Sequence, residues 1–93
     1  MPAVTRVGDE CSGHDCYPPR VNDEGSPNVK VNNLSVHREG DHWTSHCCSS
    51  CHDSTTAKGS STVFINNKHV ARIGDPIRCG SVIAQGSPDV FIG

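Results

Sequence analysis

The sequence predicts an all-β fold of short hairpins arranged with approximate three-fold symmetry and little or no helix. Two recurring phrases and one absence carry that prediction. The phrase V-x-R-x-G-D occurs three times, as VTRVGD (4–9), VHREGD (36–41) and VARIGD (70–75). A second phrase, G-S-x-x-V-x-[VI], occurs three times in alternation with it, as GSPNVKV (25–31), GSSTVFI (59–65) and GSPDVFI (86–92). No window places apolar residues at i, i+3, i+4 and i+7 over two turns, and Gly and Pro interrupt the whole chain, which leaves no amphipathic helix to form.

Each element of the unit has a local reason. V-x-[VI] alternates with period two, the mark of a half-buried strand. After two of the three copies the chain continues Asn32-Asn33 or Asn66-Asn67, residues that tolerate the positive φ a tight hairpin turn requires. The following V-x-R segment is the return strand. Gly-Asp closes it, Gly by its permissive dihedrals and Asp by bonding nearby amides. Repeats of about 4–31, 32–65 and 66–93 result, and the Gly-Asp pair advances from 8 to 40 to 74. One hairpin is too small to bury its own apolar face, so three must pack about a common axis as a single domain. The segments between Gly-Asp and Gly-Ser (10–24, 42–58 and 76–85) are unequal and are expected to gather as irregular loops at one end.

Composition says what those loops must supply. With 93 residues, 33% hydrophobic and 4% aromatic, an ordinary core is thin, and a domain of this size needs a staple. All six Cys and four of the six His lie in the three loops. No apolar run follows Met1, and no apolar stretch exceeds three residues. A signal peptide and a transmembrane helix are therefore not expected. Synthesis in the cytoplasm favours Cys as metal ligands over disulfides. A net charge of −2, with one Trp and one Tyr, lacks the basic stripe and aromatic platforms of a nucleic-acid-binding surface.

Aligning the loops on their Asp residues brings the ligands into register. His14 stands five residues after Asp9, His46 five after Asp41 with His52 beyond it, and Cys79 four after Asp75. Three loops around a pseudo-three-fold axis would bring such groups to one point, and imidazoles with a thiolate are a zinc set. The expected metal ligands are His14, His46, His52 and Cys79, a closed structural site. Loop two also offers His42, Cys47, Cys48 and Cys51 as alternatives. Cys11 and Cys16 are within reach of one another, as free thiols or as a disulfide. Trp43 is expected to plug the loop cluster, and His37 and His69 to lie on the strand surface. Arg6, Arg38 and Arg72 are expected to face Asp or the carbonyls of neighbouring repeats.

These phrases, with the loop His and Cys residues, resemble the PAAR-repeat family over essentially the whole chain, from Val4 to Gly93. Of the four name letters, Ala71-Arg72 is the literal part; the other copies read Ser35-Val36-His37-Arg38 and Ala3-Val4-Thr5-Arg6. The resemblance implies a cone of β-strands with one zinc ion near its apex, held by three His and one Cys. It further implies a spike tip, monomeric on its own, that caps a homotrimeric β-helical spike and sharpens it for membrane piercing. That spike belongs to a type VI secretion system (the valine–glycine repeat protein) or to the central baseplate spike of a contractile phage tail. The phage option has a slight edge in the length of the chain, which looks like a bare tip without an effector domain. A zinc hydrolase would need three ligands, an open position and a placed general base, and no H-E-x-x-H or similar arrangement exists here. A zinc-ribbon adaptor would need paired C-x-x-C knuckles, and the chain has the single Cys48–Cys51.

Overall fold

The computed structural model describes all residues from Met1 to Gly93. It contains no helix, and none, therefore, that is long and apolar enough to cross a membrane. Six strands form three separate antiparallel pairs. The pairs are β1 (Lys30–Val31) with β2 (Leu34–Ser35), β3 (His42–Cys48) with β4 (Ser50–Thr55), and β5 (Phe64–Ile65) with β6 (Lys68–His69). The molecule is elongated, with extents of 37 × 24 × 21 Å.

The two small hairpins turn through the Asn pairs as the sequence predicts. Asn32 and Asn33 have φ of 55° and 65°, and Asn66 and Asn67 have φ of 55° and 63°, the left-handed values a two-residue turn demands. The third hairpin is assembled from both ends of the chain: Ala3 pairs antiparallel with Phe91, the Val4 amide donates to the Val90 carbonyl, and the Ile92 amide donates to the Pro2 carbonyl. The Gly-Ser phrase ahead of each hairpin is dictated by contact. At Gly59 a Cβ would stand 2.6 Å from the Val70 carbonyl oxygen, so only glycine fits.

Three-fold symmetry is written into the backbone hydrogen bonds. Thr5 N–H donates to Ala71 O, His37 N–H to Thr5 O, and Ala71 N–H to His37 O, closing a ring. A second ring links Val7 to Ser35, Glu39 to His69 and Ile73 to Ala3. Inside the rings Val4, Val36 and Val70 are buried against one another, flanked by Val29, Val31, Val63, Ile65, Val90 and Ile92. Each repeated Arg clasps the Asp of its own Gly-Asp turn: Arg6 with Asp9, Arg38 with Asp41, and Arg72 with Asp75. Arg6 and Arg38 also reach the Gly86 and Gly25 carbonyls and the Asn32 and Asn66 side chains.

His37 is not on the surface. It is fully buried, as are Thr5 and Ala71 at the equivalent positions. The V-x-R segments cross at the axis, each bonded to the other two, so they lack the solvent face that two-strand alternation assumes. His37 Nδ1 lies 2.7 Å from the Glu24 carbonyl, to which only an N–H can donate, and Nε2 lies 2.7 Å from Thr56 Oγ1. Trp43 Nε1 donates to the same hydroxyl at 2.8 Å, and with Nδ1 carrying the imidazole proton the free Nε2 accepts the Thr56 hydroxyl proton. The relay is complete only with a neutral imidazole.

Burial lowers the His37 pKa, and the Arg38 charge adds to this, against the opposing pull of the Glu24 carbonyl and the Asp41 and Glu24 carboxylates. A proton is taken up by the unfolded chain near the ordinary value of about 6.5 before the fold accepts it. The His37 contribution is therefore complete above about pH 6.5 and is lost as pH falls through that value toward the lower folded one. The melting-temperature gap between wild type and His37→Gln is expected to narrow from pH 7.5 to 5.5. A gap independent of pH would contradict the neutral relay.

The three loops meet through isolated bridges, Cys11 with Ile83, Asn22 with Trp43 and Thr56 with Ile77. Loop two is not irregular: it folds into β3 and β4, the longest strands of the molecule, joined at Ser49 with φ of 62°. The register shift between Trp43 and His46 brings both side chains inward although they are three residues apart, an outcome that strict alternation forbids. Trp43 is fully buried with Cys11, Ala71, Ile77 and Ile83, and Cys79 packs against this cluster. The indole is the plug predicted for it.

Candidate metal centre

Four ligand-bearing side chains from the three loops converge above Trp43. His14, His46, His52 and Cys79 each offer one donor atom, and all four atoms lie within 4.8 Å of one another. His46 and His52 are cross-strand partners on β3 and β4, so the hairpin register sets their spacing. His14 comes from a narrow loop-one turn closed by reciprocal backbone bonds with Tyr17, and Cys79 from the turn Ile77–Gly80.

The orientation of the rings suits a cation. His52 Nε2 lies 2.6 Å from His46 Nε2 and 3.1 Å from His14 Nε2. His46 Nδ1 donates to the Pro18 carbonyl at 2.8 Å, which fixes the tautomer and leaves the Nε2 lone pair facing the cluster. Asp15 Oδ2 stands 3.5 Å from His14 Nδ1, a second such support. Three lone pairs and a sulfur directed at one volume fit a four-coordinate metal ion.

The sulfur is suited as well. Burial raises the pKa of the Cys79 thiol, but the neighbouring Ser81 amide and the Arg20 guanidinium outweigh it and hold the pKa at about 5. Cys79 is thus a thiolate at neutral pH, the form that binds metals. Tyr17 stands over the imidazoles, its ring centroid 4.9, 4.8 and 4.4 Å from those of His14, His46 and His52. Its hydroxyl meets Ser50 Oγ at 3.0 Å.

The remaining loop residues are engaged elsewhere. His42 lies between Asp53 and Asp23, at 2.7 and 2.6 Å, and these carboxylates raise its pKa. Cys47 is joined to Cys51 and Cys48 to Cys16, so the four form disulfides that flank the cluster. This corrects two expectations, that Cys16 is free or paired with Cys11 and that loop cysteines serve as metal ligands in preference to forming disulfides. Cys11 is a buried free thiol below the site, and Cys16 reaches across to loop two. For the Cys47–Cys51 bridge the cause is the β3–β4 register, which sets the two residues opposite each other. Sequence reading passed over two residues that touch the site, Tyr17 and Arg20. Tyr17 carried a signal as the sole Tyr, three residues after His14; Arg20 carried none.

A family model for the PAAR motif matches residues 18–85. Among characterised proteins, the chain is 41% identical over 69 residues to double-stranded DNA deaminase toxin A of Burkholderia cenocepacia (strain H111), covering 72% of this chain and 5% of the toxin. It is 37% identical over 76 residues to the NAD(P)(+) glycohydrolase toxin Tse6 of Pseudomonas aeruginosa, covering 74% of this chain and 18% of that one. The (p)ppApp synthetase toxin Tas1 of Pseudomonas aeruginosa matches at the same identity over 17% of its length. The chain therefore spans less than a fifth of the length of each of these relatives.

Proposed function

The chain belongs to the PAAR-motif family, and on that premise we propose that it is a spike-tip protein of a type VI secretion system, pinned at its apex by one structural zinc ion. The observation that carries this reading is the convergence of His14, His46, His52 and Cys79, delivered by three loops of a fold built on three-fold hydrogen-bond rings. A single chain with internal three-fold symmetry can cap a true homotrimer without mismatch, and its hairpin base can continue the strands of a trimeric β-helix. The relatives named as toxins favour a secretion spike over a phage tail, which reverses the expected edge toward a phage.

Three imidazoles and a thiolate are preferred by zinc over harder cations. When bound, zinc supplies a rigid cross-link among the three loops. Four protein ligands, with the Tyr17 ring standing over the imidazoles, suit a structural ion, and we read the chain as non-catalytic. The activities in the relatives' names are not carried over, because the match covers so little of those proteins.

The partner is tested by mixing the protein with a truncated trimeric valine–glycine repeat spike and weighing the complex by native mass spectrometry. One chain per three spike chains is expected. Equimolar binding, or none, would contradict the cap.

A further inference from the structure

Arg20 is a buried cation without a carboxylate partner. It is 6% exposed, and no ion pair of the molecule includes it. Its donors go instead to all three loops. Nε–H donates to the Thr44 carbonyl of loop two at 2.9 Å, Nη1 to Cys11 Sγ of loop one at 3.3 Å, and Nη2 to Cys79 Sγ of loop three at 3.4 Å. The guanidinium carbon lies 5.5 Å from the centroid of the Trp43 ring, a cation–π contact beneath the metal cluster.

The other three buried or half-buried arginines behave differently. Arg6, Arg38 and Arg72 each hold an aspartate in the scaffold. A buried cation requires an opposite charge, and the only candidates in contact with Arg20 are sulfurs. One of them belongs to Cys79, in the metal cluster.

We propose that Arg20 is the positioning residue of the metal centre: its fork joins the three loops and aims the Cys79 sulfur at the metal through an N–H···S bond. The inference rests on the reading of His14, His46, His52 and Cys79 as metal ligands. Lysine cannot replace it, since one ammonium cannot span a carbonyl and two sulfurs in the plane that a guanidinium fits. Groups that orient a ligand from behind tune both affinity and electronic character of the bound metal. An N–H···S bond stabilises the sulfur lone pairs, so losing it brings them closer in energy to the metal and moves sulfur-to-metal charge transfer to longer wavelength.

The test loads wild type, Arg20→Gln, Arg20→Lys and Arg72→Gln with cobalt(II), records the thiolate-to-cobalt band, and measures zinc affinity by competition with a chelator. Arg20→Gln is expected to bind about 10- to 100-fold more weakly, with the band displaced to longer wavelength. Arg20→Lys should fall between it and wild type. Arg72→Gln, a scaffold change, should lose stability with affinity and band unchanged. If Arg20→Gln does not fold, Arg20→Lys decides: wild-type affinity and band in that variant would overturn the proposal, as they would in Arg20→Gln. A wild-type protein without a thiolate-to-cobalt band would instead overturn the metal reading beneath it.

Discussion

Replacing Cys79 by alanine is expected to weaken zinc binding by more than about 100-fold and to lower the melting temperature by about 12–24 °C. Structural zinc contributes about 10–16 kcal/mol in zinc-finger peptides, and one ligand of four accounts for about 3 kcal/mol of that. Each 1 kcal/mol shifts the melting point of a domain this small by about 4–8 °C. The protein has little else to fall back on, because its buried apolar side chains are nine and three of those are Ala or Cys. Excess chelator removes the whole metal contribution and should lower wild type further than the single substitution does, and the variant, with three ligands left, should fall with it. Cys11→Ala is the control. That thiol is more deeply buried than Cys79 and bonds the same arginine, yet stands outside the cluster, so the variant should still bind one metal ion.

Asp41→Ala is expected to destabilise the fold by about 3–5 kcal/mol, the largest effect among scaffold substitutions. The Asp41 carboxylate is fully buried and accepts from the Arg38 amide and Nε at 2.9 Å each and from Nη2 at 3.0 Å. Removing it strands a guanidinium whose side chain is 7% exposed. The same substitution at Asp9 or Asp75 should cost about half as much, because Arg6 and Arg72 are 13% and 19% exposed and can recover water. Urea unfolding of the three variants checks the order. Equal losses, or a smaller one at Asp41, would show that burial does not govern the clasp.

That contrast shows what the sequence could and could not reveal. V-x-R-x-G-D is spelled identically at the three clasps, so the repeats, the Asn-Asn turns and the three-fold arrangement are legible as text. So is the gathering of His14, His46, His52 and Cys79, since aligned loops around an axis have few other places to put their ends. What the text conceals depends on several segments at once. His37 is buried because three strands cross, which no single strand can announce. The Trp43–His46 bulge turns two residues inward against the alternation rule, and the register that follows pairs Cys47 with Cys51. Arg20 sits in an unmarked stretch behind Pro18-Pro19, and its partners come from three loops, so no spacing rule could have found it.

X-ray absorption at the zinc edge, on protein purified without added metal, tests the central claim most directly. One zinc per chain is expected, with a first shell of one sulfur at about 2.3 Å and three nitrogens at about 2.0–2.1 Å. A shell with two or more sulfurs would place other cysteines on the metal, and a zinc-free folded protein would show that the apex needs no ion; either result contradicts the account.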